Sequence, residues 1–303
     1  MHGFPDIPEF SDDQIKECIG SGDPRPLLFE LYKLVAEVAL NVASISPDSP
    51  AYRNPPALHA AIVSGLANRC ARLMVSVGKL SCGGYGGESA SILTRCVVET
   101  AIVLRWLTES TDQGDVFRRY IVDGLRPDLK LEEHIEQCIA DRDGEKTVIE
   151  QRMLRSIERS RRDAGMDRAT VESSKGMPDL KTIMIDRLDY ENEGYIGVQR
   201  MLSQFVHGRW SDLRSHYIER DGSGAFRLKD VDEAPIHANL LLLGVVLVTD
   251  AARSVFSFFL QGDDLRAEFD EYCATIRARA YAADAIRSHR DNDLVDDDDG
   301  NRA

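Results

Sequence analysis

In this chain of 303 residues, the two residues best suited by type and spacing to catalyse a reaction are Arg200 and His207, in the segment RMLSQFVHG. They are seven residues apart, so on a helix they return to within about 20° of the same face, separated by roughly 10 Å along the axis. A long arginine and a histidine could then converge on one phosphate. This arrangement suits metal-independent RNA cleavage, in which imidazole takes the 2′-hydroxyl proton and guanidinium stabilises the charged phosphorane.

The same spacing has a structural interpretation, because the helix dipole favours a histidine in the last turn of a helix. Three comparable pairs occur in the chain: Arg53 with His59, Arg200 with His207, and Arg209 with His216. The middle pair alone lies wholly on a predicted helix. We therefore predict Arg200 and His207 as candidate catalytic residues and keep a packed C-terminal helix histidine as the alternative.

A second polar pair, Arg95 and Glu99, interrupts the apolar segment ILTRCVVETAIVLRWL. Residues four apart share one face of a helix. If that face is buried, the two charges must satisfy each other or a third partner, because desolvating an unpaired ion costs several kcal/mol. The pair is interpreted either as a binding-site carboxylate oriented by an arginine or as a structural ion pair.

The overall charge limits the partners to be expected. With 51 acidic and 37 basic residues the formal net charge is −14, so no general attraction to nucleic acid or anionic lipid is expected. RNA binding would need a local basic groove, which we expect Arg200, Arg209 and Arg214 to line. Residues 291–303 contain six Asp and one Arg, and we predict a disordered acidic tail there because its charges repel and it has little to bury.

The cysteines and the N-terminus are typical of a cytoplasmic protein. The six cysteines form no C-x-x-C pair, so we predict reduced core residues, with no disulfide frame, metal site or cofactor. The N-terminal segment has no secretory signal pattern. The longest apolar run, Leu240 to Val248, is about half the roughly 20 residues that a membrane span needs. It predicts a buried core helix and no membrane contact.

Hydrophobic periodicity predicts an all-α protein, a helical bundle with one small β-hairpin and a protruding charged helical segment. Helices are expected over residues 26–44, 57–80, 88–109, 192–207, 235–260 and 263–288. Two short strands are expected around residues 221–224. The predicted organisation is an N-terminal helical segment at 1–54, a bundle domain at 55–290 with a charged helical excursion at about 112–190, and the tail at 291–303.

The motifs ILTRCVVETAIVLRWL and LSQFVHGRW together resemble a family of bacterial proteins called domain of unknown function 5677. The likeness covers roughly residues 55–260, and Arg95, Glu99 and His207 are the matching positions. The spacing of Arg200 and His207 is similar to the HEPN nuclease pattern (higher eukaryotes and prokaryotes nucleotide-binding). The residue after Arg200 is Met201, where that pattern usually has Asn, Asp or His.

The resemblance implies an all-α, HEPN-like fold, frequent homodimers, and a role in toxin or phage-defence systems, either as a ribonuclease or as an inactive partner. Two functional hypotheses follow. In the first, Arg200 and His207 cleave RNA, with Arg95 and Glu99 shaping the same pocket. In the second, the protein is a non-catalytic homodimeric interaction module that contacts a protein partner, and its Arg, Glu and His residues form a structural cluster. A helical small-ligand sensor is a third alternative.

Overall fold

The structure is a computed structural model. It describes residues 4–82, 86–188, 210, 213–214, 217–222, 224–229 and 235–299, without the side chains of residues 186, 187 and 287–299. The chain forms two compact units, Met1–Glu109 with Ile183–Ala303, and Ser110–Thr182. Within the described residues the elements are ten α-helices and one two-stranded hairpin, which confirms the predicted all-α class.

The helices and strands have the following bounds. In chain order they are α1 (Asp12–Ser21), α2 (Arg25–Ala43), α3 (Ala57–Ser81), α4 (Gly87–Glu109), α5 (Gln113–Ala140), α6 (Val148–Asp163), α7 (Arg168–Ser173), α8 (Leu180–Thr182), β1 (Ile218–Arg220), β2 (Phe226–Leu228), α9 (Ala238–Phe259) and α10 (Asp263–Asp299). A short π-helical turn, Ile183–Arg187, follows α8 and packs on α4. The predicted helix at 192–207 lies outside the described residues.

The first unit is built around a ring of four helices. Helix α2 packs on α3 and α9, and α4 packs on the same two helices. The apolar face predicted for α2 is buried: Leu27, Leu28, Leu31, Leu34, Val35 and Val38 are all at most 5% exposed. Pro26 lies in the first turn of α2, where its missing N–H costs no helical hydrogen bond.

Helix α2 therefore belongs to the bundle, although the segment 1–54 was predicted to be separate. The prediction took the segment SPDSPAYRNPP as a boundary because it is rich in helix breakers. In the structure this segment is tied to the end of α9. The Arg53 backbone N–H donates to the Phe259 carbonyl (2.8 Å), and the Gln261 N–H donates to the Ala51 carbonyl (2.9 Å). Tyr52 stacks on Phe259 with ring centroids 5.8 Å apart.

A glycine allows α2 and α9 to approach closely. A Cβ atom added at Gly244 would lie 2.6 Å from Cε2 of Tyr32, well inside van der Waals contact. Tyr32 is 1% exposed and ranks among the largest fully buried side chains. The position of this aromatic ring in the core thus depends on the absence of a side chain at Gly244.

Two of the described helices, α3 and α9, are long and apolar enough to cross a membrane, judged by length and composition alone. In the most apolar stretch of α9, 72% of residues are buried, against 33% for α3. Burial against the other bundle helices explains the apolar character of α9, as expected for the run from Leu240 to Val248. Helix α3 retains exposed apolar side chains, among them Leu58, Val75 and Leu80.

The second unit, Ser110–Thr182, holds the charged helices α5, α6 and α7, of which α6 and α7 pack on α5. Two small apolar clusters hold the unit together; one comprises Val122, Leu125, Leu129 and Val171, and the other comprises Ile135, Ile139 and Ile157. Glu132 is 7% exposed and accepts two hydrogen bonds from the Arg161 guanidinium. This paired guanidinium lowers the pKa of the Glu132 carboxyl.

The C-terminal helix begins as predicted but extends further. Helix α10 packs on α9 and α2 and continues to Asp299, whereas we predicted disorder from residue 291. Once a helix is nucleated, each further residue adds a backbone hydrogen bond without repeating the nucleation cost. The helical backbone can therefore continue into a segment that has few apolar residues to bury.

Candidate functional site

The Arg95–Glu99 pair forms as the four-residue spacing predicts. Arg95 Nε donates to Glu99 Oε1 at 2.7 Å on α4. Their side chains are 23% and 42% exposed, so the face is only partly buried. Water solvates both charges, and the large desolvation cost of a buried ion does not apply. The pair is accessible, as a binding residue must be, and its guanidinium already has a carboxylate partner.

The remaining predicted site residues are described only in part. Arg200, His207 and Arg209 lie outside the described residues. Arg214 is described and exposed, in helical backbone. Arg214 forms no ion pair with any described residue. The structure therefore brings Arg95 and Glu99 together, places Arg214 at the surface, and leaves the predicted catalytic pair a prediction.

Close to these residues in sequence, β1 and β2 form the predicted antiparallel hairpin. Its register pairs Ile218 with Leu228, Glu219 with Arg227, and Arg220 with Phe226. The turn closes because the Asp221 carboxylate accepts a hydrogen bond from the Ala225 backbone N–H at 3.0 Å. Gly224 has φ = +84°, a conformation that favours glycine.

The hairpin carries an exposed aromatic surface that sequence reasoning missed. Trp210 and Phe226 are 58% and 51% exposed, and their rings pack edge to face with centroids 5.7 Å apart. The Arg220 guanidinium carbon lies 4.9 Å from the Phe226 ring centroid, because the two residues are direct cross-strand partners. We call Trp210, Phe226, Arg214 and Arg220 the hairpin platform. Its sequence signal is the mixture of aromatic and basic residues in GRWSDLR and AFRLK.

The sequence around the hairpin platform lacks the acidic excess of the whole chain. Residues 200–233 contain six basic and six acidic residues, a net charge of zero, in a protein of net charge −14. Arg227 is neutralised by Glu219, with Nη2 2.6 Å from Oε1. Among the described residues no carboxylate pairs with Arg214 or Arg220. As far as the structure describes the chain, both cations therefore remain available to an anionic ligand.

A second polar cluster, also missed by sequence reasoning, joins α4, α9 and α10. Asp250, with a side chain only 12% exposed, lies 3.1 Å from Arg277 Nη1 and 3.9 Å from Arg105 Nη1. The Arg105 guanidinium makes two hydrogen bonds to Glu109 (2.8 and 3.1 Å), and the Ser254 hydroxyl also donates to Glu109. Every carboxylate here has a cationic partner. We interpret the cluster as a structural ion network that fixes three helices.

A groove of about 1340 Å³ runs between α1, α2 and α3. Buried apolar side chains line it, including Leu27, Ala36 and Met74. Charged residues of both signs also line it: Glu17, Glu30 and Glu37 among the acids, and Lys33, Arg72 and Lys79 among the bases. Because the charges are mixed, the groove has no electrostatic preference for one class of ligand.

The described residues offer no other obvious chemistry. They contain no group of three or more His, Cys, Asp or Glu side chains that could hold a metal ion. The six cysteines are free thiols, and Cys18, Cys70 and Cys273 are buried. Burial raises the pKa of the Cys70 and Cys273 thiols to about 12. These two thiols are therefore protonated at neutral pH and unsuited to nucleophilic catalysis.

Comparison with known proteins identifies the family. The profile of a family of unknown function, DUF5677, matches residues 60–226, which is more than half of the chain. The chain belongs to this family. The predicted resemblance to this family is thus confirmed, over a narrower range than residues 55–260. The matched range includes α4, the predicted catalytic pair and the hairpin platform up to Phe226. No curated protein and no solved structure matches the chain.

Proposed function

We propose that this member of the DUF5677 family is a HEPN-like ribonuclease that cleaves RNA without a metal ion. In this proposal the His207 imidazole removes the proton of a ribose 2′-hydroxyl, which attacks the adjacent phosphate. The Arg200 guanidinium stabilises the negative charge of the resulting phosphorane. The bond from phosphorus to the 5′-oxygen of the next nucleotide then breaks, which leaves a 2′,3′-cyclic phosphate, and the departing 5′-oxygen takes a proton from water. Arg95 and Glu99 shape the pocket, while Arg209 and Arg214 contact the RNA backbone.

The observation that carries the proposal is the presence of two exposed arginines, Arg214 and Arg220, close in sequence to the Arg200–His207 pair. An acidic protein can bind RNA only where cations are concentrated, because binding depends on neutralising phosphates. The exposed Arg214 and Arg220 have no carboxylate partner in the described part of the chain, and they follow His207 closely in sequence. The partly exposed Arg95–Glu99 pair further supports an accessible site over a purely structural role.

The proposed setting is the bacterial cytoplasm. HEPN-like proteins often act in toxin or phage-defence systems, and they often form homodimers. We propose a homodimer of this kind that acts as an RNase or toxin component and contacts a protein partner. The free thiols at all six cysteine positions are compatible with a reducing compartment.

The experiment that tests the proposal is an RNA cleavage assay with single-residue variants. His207→Ala and Arg200→Ala should each abolish cleavage, since loss of a general base typically costs a factor of about 10² to 10⁴. Cleavage by the native protein should persist in EDTA. His134→Ala and Arg152→Ala are matched controls, because both residues are exposed on the charged helices. If neither site variant changes the rate, or if His207→Ala mainly lowers stability, the proposal is wrong.

A non-catalytic homodimeric interaction module is the second candidate. It is favoured by exposed apolar side chains on neighbouring helices, Leu40 on α2 (46%) and Val75 on α3 (49%), both of which line the groove. Patches of this kind often mark protein interfaces. In that case Val75→Asp should dissociate the dimer, measured by sedimentation velocity, and no RNA cleavage should be detectable with the native protein.

A further inference from the structure

We propose that the hairpin platform binds single-stranded RNA by stacking an unpaired base on the Trp210 indole. The inference rests on the proposed function in taking RNA as the ligand, and it adds the strandedness of that RNA and the residue that recognises it. Trp210 is the larger of the two exposed rings and is held by the edge-to-face contact with Phe226. A fixed and exposed indole is the kind of surface on which bases stack.

The aromatic part of the platform explains why the RNA is single-stranded. In a duplex the base faces are already stacked on one another and cannot reach a protein side chain. Unpaired bases are free to stack on Trp or Phe, irrespective of base identity. Exposure of the apolar rings of Trp210 and Phe226 to water is unfavourable. Stacking a base on the indole would recover part of that cost.

The basic part of the platform explains why the ligand is a polyanion. Arg220 lies against the Phe226 ring, which restricts the guanidinium before any ligand arrives. Arg214 is four residues from Trp210, and neither arginine pairs with a described carboxylate. Cations placed beside a stacking ring match a ligand that alternates phosphates and bases.

A protein partner fits these observations less well. Protein interfaces are also rich in aromatic residues and arginine. Within the described residues, however, neither Arg220, which lies against the Phe226 ring, nor Arg214 has a carboxylate partner. Burying those arginines against a protein would require carboxylates supplied at matching positions. RNA supplies the negative charge in every nucleotide.

The test measures RNA binding in the full-length chain carrying His207→Ala, so that the probe is not cleaved. The probe is a fluorescent single-stranded RNA of about 12 nucleotides, compared with the same RNA annealed to its complement. We expect Trp210→Ala to raise the Kd for the single strand roughly 5- to 100-fold and to have little effect on the duplex. Arg220→Gln should make binding less sensitive to salt. The slope of the logarithm of the binding constant against the logarithm of the salt concentration should become shallower by about 0.7 if one phosphate contact is lost.

Matched controls separate a local contact from misfolding. Tyr281→Ala removes another half-exposed aromatic ring, on α10, and Arg152→Gln removes an exposed arginine of α6; neither should change the Kd. Circular dichroism melting should be the same for all variants. The inference is overturned if the chain does not bind single-stranded RNA, if Trp210→Ala leaves binding unchanged, or if duplex binding falls equally. It is also overturned if Trp210→Ala instead dissociates a protein dimer.

Cleavage by the chain with native His207, measured in parallel, separates this inference from the proposed nuclease activity. Binding that depends on Trp210 without any cleavage would support base stacking on the hairpin platform and contradict the proposed nuclease activity. Cleavage with an unchanged Kd and KM in Trp210→Ala would support the nuclease activity and contradict base stacking on Trp210.

Discussion

Arg95 Nε and Glu99 Oε1 lie 2.7 Å apart on α4, with side chains 23% and 42% exposed. Such a partly solvated pair contributes little to stability. We therefore predict that Glu99→Ala lowers the free energy of unfolding by roughly 0.3 to 0.5 kcal/mol, measured by urea denaturation. The loss of a fully buried partner would instead cost about 3 to 5 kcal/mol. Glu158→Ala is the control, because it breaks the more exposed Arg162–Glu158 pair of the same spacing.

The role of the pair in activity is tested with the same Glu99→Ala variant. If Glu99 orients Arg95 in the proposed RNA pocket, the Glu99→Ala variant should cleave RNA more slowly than the native protein while stability changes little. A double substitution of Arg95 and Glu99 by Leu should likewise leave stability nearly unchanged without restoring cleavage. Unchanged cleavage in both variants would identify the pair as a structural feature of α4.

Gly244→Ala should destabilise the bundle. The added methyl group would lie 2.6 Å from Cε2 of Tyr32, and overpacking of this kind costs about 1 to 3 kcal/mol. Gly65→Ala is the matched control, because Gly65 is an exposed residue in α3 with no atom within 4 Å of the added carbon. That control should stabilise the protein by roughly 0.5 to 1 kcal/mol. A loss of stability in both variants would show that helical glycine in general, rather than the contact with Tyr32, is responsible.

Acid should weaken the second unit through Glu132. Because the Arg161 guanidinium lowers the pKa of Glu132, the folded state binds fewer protons than the unfolded state as the pH falls. The stabilising contribution is therefore complete above the ordinary pKa of 4.5, and it is lost as the pH falls through the lowered value. Glu132→Gln should destabilise this unit at neutral pH by roughly 3 kcal/mol and flatten the pH dependence below about pH 4.5.

The measurement for Glu132 is differential scanning calorimetry at several pH values between neutral and about pH 3. Glu133→Gln is the control, since the neighbouring Glu133 is exposed and lies 3.7 Å from Arg168. If both variants changed the loss of thermal stability at acidic pH equally, Glu132 would not be the residue responsible for that loss.

Removing residues 291–303 should leave the thermal stability nearly unchanged. This segment contains six aspartates and only two large apolar residues, Leu294 and Val295, so it has little surface to bury. Its helical backbone up to Asp299 need not contribute to the folding of the bundle. A fall of several degrees in Tm after truncation would show that the acidic end of α10 makes contacts that stabilise the protein.

Much of the bundle could be predicted from the sequence, because periodic apolar residues directly reflect burial. The apolar face of α2 and the ends of α3, α4 and α9 follow this pattern closely. The membership of α2 in the bundle could not be predicted in the same way. It rests on the packing of α2 against α3 and α9, and the breaker-rich segment after α2 is held to the end of α9 by the stacking of Tyr52 on Phe259 and by backbone hydrogen bonds. All of these are contacts between distant parts of the chain.

In the candidate site, too, contacts within one helix could be predicted from the sequence, whereas contacts between distant parts of the chain could not. The Arg95–Glu99 pair was predictable, because both residues lie on one helix. The contact between Trp210 and Phe226 joins residues on either side of the hairpin turn, and Asp250 meets arginines from two other helices. Spacing along the sequence carries no direct information on such pairs.

The most direct test of the proposed nuclease activity is the cleavage of a labelled single-stranded RNA in excess EDTA, comparing the native protein with His207→Ala. We expect cleavage by the native protein, products that end in a 2′,3′-cyclic phosphate because the 2′-hydroxyl is the attacking group, and no detectable cleavage by His207→Ala. Equal cleavage by both proteins, complete inhibition by EDTA, or no cleavage by the native protein would contradict the proposed role of His207 as a metal-independent general base.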